Sequence, residues 1–180
     1  GDAFIAGGVE SMSRVPMTGF NPMPNPKLTV TSPEAFTSMG ITAENLAEKY
    51  GINRADQEAF AVESHARADR ARSSGSFGKE IVEIETEYGV VKDDGCIRPE
   101  TDLESLAMLR PAFDLNGSVT AGTSSPLTDG AAFVLVCTES FAKDNGLTPL
   151  ARVLSTAVSG CAPEIMGIGP VEATGKALHR

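Results

Sequence analysis

Two stretches of the chain carry residue types from which reactive or binding sites are built. Gly122-Thr123-Ser124-Ser125-Pro126 sets two hydroxyls on a turn, as the G-x-S-x-G elbow does when it exposes a nucleophilic serine. The closing glycine of that elbow is missing, and an apolar strand pattern follows where the elbow needs a helix. A serine nucleophile is therefore disfavoured, leaving a loop whose hydroxyls satisfy backbone groups or one that contacts a ligand. Gly167-Ile168-Gly169-Pro170 lacks the third glycine of a dinucleotide fingerprint, and Pro170 removes an amide that a phosphate would use. Phosphate, if held at all, must be met by side chains such as Arg98 or Arg110.

Cys96, Cys137 and Cys161 are scattered, forming neither a C-x-x-C pair nor a disulfide framework, which fits a reducing compartment. Cys137 lies in an apolar run and reads as a small hydrophobe. Cys96 and Cys161 have no histidine nearby in sequence, although a cysteine nucleophile can find its base through the fold. His65 and His179 are the only histidines, and with no ligand spacing around them no metal site is expected. His65 sits beside an apolar stripe rather than within it and reads as a partly exposed structural residue, not a general base.

The elements that must position these residues alternate in texture. Residues 2–6 read as a short buried strand ending at Gly7-Gly8, and the proline-rich stretch from Pro16 to Pro33 as irregular chain. A helix is expected from Thr42, with Ala43, Leu46, Ala47 and Tyr50 on one face and a stop at Gly51. Asn53 can cap a second helix whose stripe is Ala55, Ala59, Val62 and Ala66, widened by Phe60, the two making an antiparallel pair. Glu80 to Glu85 alternates as a half-buried strand, 92–95 is a turn, and Asp102 to Leu109 a short helix. Ser118 to Ala121 reads as a strand, and Ala131 to Cys137 as one buried on both faces. A helix over Glu139–Asn145, a strand over Ala151–Val158 and a helix after Pro170 complete the pattern. Sheet-rich α/β flanks thus enclose about 100 residues of loops and helices, an insertion mounted on a sheet.

The composition is that of a core-forming chain: 180 residues, 41% hydrophobic and 22% charged, about one domain in length. A net charge of −9 without a basic block disfavours nucleic acid. No run reaches the ~18 apolar residues of a membrane span, and no signal-peptide order opens the chain. The chain starts at Gly1 directly in a strand pattern and closes at Arg180 in an amphipathic one, so an internal section of a longer polypeptide is expected.

Five ordered blocks point to one family. They are Ala6-Gly7-Gly8-Val9-Glu10-Ser11-Met12-Ser13, Met39-Gly40-Ile41-Thr42-Ala43-Glu44-Asn45, Leu109-Arg110-Pro111-Ala112-Phe113-Asp114, Gly117 to Gly122 with Thr128-Asp129-Gly130-Ala131-Ala132, and Glu164 to Pro170. Together they closely resemble the thiolases, in particular the acetyl-CoA acyltransferases that act on 3-ketoacyl-CoA. The resemblance implies an α/β fold of the layered αβαβα type with an inserted loop domain, present here only in part. Residues 1–12 would close the N-terminal half, 13–127 would form the inserted CoA-binding loop domain, 128–148 would return to the first half, and 149–180 would begin the second.

It also implies a chemistry. A thiolate attacks the 3-keto carbonyl, acetyl-CoA leaves as a stabilised enolate, and the acyl group passes from the enzyme to CoA. The family's nucleophilic cysteine would lie before Gly1, and its G-H-P histidine and C-x-G-G-G cysteine after Arg180, so no catalytic residue is assigned within these 180. What the resemblance assigns here is CoA binding: Arg98 beside the nucleotide end, Ser105 and Phe113 along the cofactor-like substrate, and Ala121, Ser125 and Leu127 at the pantetheine arm. Met39 and Met166 would line the acyl tunnel. Ser38-Met39-Gly40 stands where short-chain biosynthetic thiolases have His-Met-Gly, and Thr123-Ser124-Ser125-Pro126 where they have Asn-Ala-Ser-Gly, which leans toward a degradative β-oxidation enzyme. The alternatives are a biosynthetic acetoacetyl-CoA thiolase, a non-catalytic thiolase-like acyl-CoA or lipid-binding protein, and a serine hydrolase. No permanently bound cofactor is implied, CoA and acyl-CoA being substrates. A homodimer or homotetramer, a β-oxidation multienzyme partner, and a cytoplasmic or, in a eukaryote, mitochondrial or peroxisomal location complete the expectations.

Overall fold

The computed structural model describes residues 1–180 as two compact units, Gly1–Phe36 with Leu127–Arg180, and Thr37–Pro126.

The first unit is organised by two nine-residue strands, β1 (Ala3–Ser11) and β4 (Asp129–Cys137), paired antiparallel from Ala3 opposite Cys137 to Ser11 opposite Asp129. β1 runs through Gly7-Gly8 instead of ending there. Without a Cβ, Gly7 lets the Phe133 ring of the facing strand lie over its backbone. Thr138 amide nitrogen donates to the Asp2 carbonyl at 2.9 Å, extending the ladder by one bond. At the other end, Asp129 closes the following loop. Its carboxylate accepts from the Ser13 amide at 2.9 Å and from the Ser13 hydroxyl, and these bonds, the hydroxyl's first, hold the Asp129 carboxyl below the usual carboxylate range.

The expectation that residues 2–6 and 131–137 are buried is corrected: Ile5 is 79% and Phe133 64% exposed. The strands pair only with each other, and side chains on both faces of the ladder are exposed, Phe4 at 59% and Ile5 at 79%. The proline-rich stretch is not wholly irregular. Pro26 starts a one-and-a-half-turn helix α1 (Pro26–Thr31), with the Asn25 side chain accepting from the Lys27 amide at 2.9 Å. Helix α5 (Glu139–Asp144) is capped by Thr138, and α6 (Gly169–Leu178) begins one residue before Pro170.

The segment expected as a strand over 151–158 has no strand partner. Ser155 and Ser159 instead donate their hydroxyls to the Ala177 and Gly169 carbonyls at 2.7 and 2.8 Å. Ser155, Ala157 and Ser159 are half-buried between exposed neighbours, in a chain laid along α6. Side-chain bonds there take the place of a ladder.

The second unit is mainly helical. Helix α2 (Met39–Tyr50) starts three residues earlier than the spacing predicts, because Ser38 accepts from the Ile41 amide, and it ends at Gly51 in the left-handed conformation with φ 65. Helix α3 (Arg54–Ser73) is capped by Asn53 as expected, its side chain accepting from the Asp56 amide at 2.9 Å. Its packed face is only in part the expected stripe. Val62 and Ala66 are half-buried as expected and Ala55, Ala59 and Phe60 are exposed, whereas Arg54, Gln57, Glu58, Ala61, His65, Ala68 and Arg72 also turn inward to varying depth. The two helices are also less of a pair than expected: α3 packs on α4 (Leu103–Ala107) and on the turn Ala121–Thr123.

The cause is a set of polar anchors. Arg54 Nε meets the buried Glu58 carboxylate at 2.6 Å, and its terminal nitrogen donates to the Leu106, Ala107 and Leu109 carbonyls at 3.0, 3.1 and 2.7 Å. Those carbonyls lie at the end of α4, where a helix leaves acceptors unsatisfied. The expected strand over 80–85 is reduced to β2 (Ile84–Thr86), paired with β3 (Gly89–Val91) in a hairpin that is exposed rather than half-buried. The expected strand over 118–121 is a single bridge between Pro111 and Thr120, since the Val119 amide is taken by a side chain of α2.

Two outcomes follow. Arg54→Met leaves Glu58 buried without its cation and takes a donor from three carbonyls, of which that of Leu106 keeps the Leu109 amide at 3.0 Å, and should lower unfolding stability in urea by roughly 2–4 kcal/mol. Adding Glu58→Leu should recover part of that loss. For Asp129, whose folded pKa is depressed, the contribution to stability is present above the unfolded value of about 3.9 and disappears as pH falls through the lower folded one. The Ser13 amide resonance should shift over that acid range, and Ser13→Ala should move the midpoint up toward the ordinary value.

Candidate functional site

Six of the eight residues assigned to ligand binding lie in the Thr37–Pro126 unit: Met39, Arg98, Ser105, Phe113, Ala121 and Ser125. Leu127 and Met166 lie in the other unit. Each of the six sits on a loop or helix end whose backbone is held by α2, α3 or a local cap.

Arg98 lies in the segment between β3 and α4. Its amide donates to His65 Nδ1 on α3 at 3.2 Å, and its carbonyl accepts from the Thr101 amide and hydroxyl at 3.2 and 2.9 Å. Its guanidinium is exposed. Ser105 is in the first turn of α4, where the Asp102 side chain accepts from its amide at 2.8 Å. That bond, first among its causes, holds the Asp102 carboxyl below its ordinary range. Ser105 Oγ donates back to the Asp102 carbonyl at 3.1 Å.

Phe113 is placed by α2. A Cβ on Gly40 would overlap its ring, so only glycine at that helix position admits the aromatic side chain. The loop carrying Ala121 and Ser125 is placed by Glu44, also on α2. Its two carboxylate oxygens accept from the Ser118 amide at 2.9 Å and the Val119 amide at 2.8 Å, and from the Ser118 hydroxyl at 3.2 Å. Gln57 on α3 donates to the same hydroxyl at 2.8 Å. Beyond it the chain turns at Thr120, which is wholly buried, and the Ser124 hydroxyl donates to the Thr120 carbonyl at 2.8 Å. Ser125 and Leu127 then project as exposed residues, and Met39 and Met166 are half-exposed.

No nucleophile of this chain is coupled to a base. Ser124 is spent on a backbone carbonyl, and neither serine meets an imidazole. The Cys96 thiol is pushed up by desolvation and by the Asp94 charge, the opposite of what a thiolate nucleophile needs. Cys161 Sγ lies 3.7 Å from the Met166 carbonyl. His65, the one imidazole of the helical unit, is occupied as an acceptor for the Arg98 amide.

Residues 1–140 match the thiolase N-terminal domain. The chain belongs to the thiolase family. It is 52% identical to a 3-ketoacyl-CoA thiolase of Marinobacter nauticus, aligned over 100% of this chain and 47% of that protein. It is 48% identical to a 3-ketoacyl-CoA thiolase of Bacillus subtilis, over 98% of this chain and 49% of the relative. The chain thus spans about half the length of the curated relatives it matches. Among solved structures it superposes on the dimeric peroxisomal thiolase of Saccharomyces cerevisiae with a TM-score of 0.90 at 36% identity, covering 99% of this chain and 47% of the other. On human mitochondrial 3-ketoacyl-CoA thiolase in complex with CoA the TM-score is 0.83 at 38% identity, covering 98% and 48%. The expected α/β thiolase fold, present in part, is borne out.

The anchors Glu44 and Gln57 were not among the residues singled out from the sequence, and Arg54, expected on the outer face of α3 by its charge, turns inward to the α4 carbonyls. A carboxylate at Glu44, next to the apolar stripe of α2, was the available signal. Glu44→Gln exchanges one acceptor oxygen for a donor facing two amides and a hydroxyl, and should cost about 1–3 kcal/mol. The loss should be read in the urea midpoint, with faster amide exchange at Ser118 and Val119.

Proposed function

We propose that this chain is the CoA-holding part of a 3-ketoacyl-CoA thiolase, an acyltransferase that cleaves 3-ketoacyl-CoA to acetyl-CoA and an acyl-CoA shortened by two carbons. The observation that supports it most directly is the identity near 50%, maintained over the whole chain, to proteins of that name. The free, exposed Arg98 guanidinium on a doubly held backbone agrees with the reading, because it offers a cation to phosphate in a chain of net charge −9.

The roles divide by chemistry. Arg98 meets the nucleotide end of CoA. Ser105 and Phe113 contact the substrate along its length, the ring offering an apolar wall. Ala121, Ser125 and Leu127 border the pantetheine arm, where a hydroxyl can bond an amide. Met39 and Met166 line the acyl path, their flexible thioethers adapting to chains of different length. The thiolate nucleophile and its base come from outside these 180 residues. Residues 1–12 and 128–148 belong to the N-terminal half, 13–127 to the loop domain, and 149–180 to the start of the C-terminal half. The remainder of the N-terminal half covers the apolar β1–β4 ladder, and the enzyme works as a homodimer or homotetramer.

The complete polypeptide containing this chain should cleave a long-chain 3-ketoacyl-CoA in the presence of CoA. Cleavage of neither that substrate nor acetoacetyl-CoA would remove the reading in favour of a non-catalytic acyl-CoA binder. Within the active enzyme, Arg98→Ala should raise the KM for CoA by about tenfold with kcat changed by less than about twofold. A fall in kcat at unaltered KM would count against the assignment of Arg98.

A further inference from the structure

We propose that His65 is a positioning residue for CoA recognition: it acts through the backbone of Arg98, fixing where that guanidinium is presented. The inference rests on the thiolase reading and deepens it at one subsite. Three observations carry it.

First, the Arg98 amide donates to His65 Nδ1 across 33 positions of sequence. This is the one hydrogen bond that ties residues 92–101 to helix α3; the other bonds of that segment are local. These are the Cys96 amide to the Asp94 carboxylate at 2.8 Å and the Arg98 carbonyl to Thr101. Second, the host element is rigid. His65 stands near the middle of a 20-residue helix whose first turn is tied to α4 by Arg54, so the imidazole is a fixed reference for an otherwise locally bonded loop.

Third, the division of labour within Arg98 is complete. Both of its backbone polar groups are bonded, while its guanidinium enters no ion pair or hydrogen bond. A side chain left free on a fixed backbone retains its donors for an incoming anion and loses little further freedom when it binds. For Nδ1 to accept, the neutral ring carries its proton on Nε2. The bond therefore sets both the tautomer and the ring orientation, and it leaves His65 no acceptor for a general-base role.

The test uses the complete thiolase and three substitutions. His65→Ala removes the acceptor. His65→Gln supplies a carbonyl oxygen that can take the same amide proton, and so should restore what alanine loses. Arg98→Ala in combination shows whether His65 acts through Arg98.

His65→Ala should raise the KM for CoA by about two- to tenfold, the range of one net hydrogen bond, with kcat nearly unchanged. His65→Gln should stay within about twofold of wild type. In the Arg98→Ala background, His65→Ala should have no further effect. Thiolysis with pantetheine, which lacks the nucleotide, should be indifferent to His65. Hydrogen exchange at the Arg98 amide should be faster in His65→Ala and restored in His65→Gln.

A KM for CoA unchanged in a folded His65→Ala enzyme overturns the proposal while leaving the thiolase reading intact. Equal losses with CoA and pantetheine, or additive losses in the double variant, also overturn it, because they indicate general loosening of the helix. A wild-type enzyme with no CoA-dependent thiolysis overturns the reading and the proposal together.

Discussion

The Arg54 guanidinium is the group on which the loops of the helical unit depend. One face of it neutralises Glu58, which is buried in the packed side of α3, and another supplies donors to three carbonyls at and just beyond the end of α4. Each function requires the other. A buried carboxylate without its cation is costly, and an arginine held only by backbone carbonyls would lack the partner that orients its plane. Once Arg54 is in place, the chain leaving α4 has a defined direction into Pro111 and Phe113, and α3 has a polar face that alanine packing could not provide.

Glu44 on α2 completes the arrangement with the opposite polarity. Arg54 collects carbonyls, whereas Glu44 collects amides, and between them the two helices secure the segment from 106 to 119. A hydrophobic core of this unit is correspondingly small: Ala47, Leu106 and Val119 are its buried apolar residues. Specific bonds from charged side chains to backbone stand where larger apolar side chains would stand in another domain. Such bonds are directional, so they fix loop positions more sharply than apolar contact does.

This division explains what could be read from the sequence. Helix α3 and its Asn53 cap, the Gly51 stop of α2, the short α4 and the apolar run of β4 were legible because each rests on local signals of capping, turn chemistry or period. The packed face of α3 was misread in part because the rule that buries alanine over arginine fails when the arginine has a buried partner four residues on. The segment expected as a strand over 151–158 has no neighbour to pair with, and pairing is not a local property. The exposure of β4 has the same origin: a run of apolar residues specifies that a strand wants cover, not that the cover lies in the same 180 residues. Arg98 was picked out by the family resemblance, through its place in Cys96-Ile97-Arg98-Pro99, and not by any local rule. His65 is partly exposed as expected, but its partner, 33 positions away, was beyond any spacing rule.

The consequence for function concerns when the ordering cost is met. A loop that becomes ordered only around its ligand loses binding free energy to that ordering, whereas one already tied to helices does not. Here Phe113 is lodged against Gly40, the Ala121–Ser125 loop follows the amides held by Glu44, and the Arg98 backbone is bonded on both sides, each through contacts within the chain. Among the groups left without bonds are the Arg98 guanidinium and the Ser125 hydroxyl, which under the proposed reading face a long, anionic, amide-containing substrate. A unit organised in this way can serve a reaction whose nucleophile it does not carry. On the proposed reading, holding the distant end of a large substrate fixes where the thioester must lie, so the energy of nucleotide recognition is available to orient the reacting carbonyl.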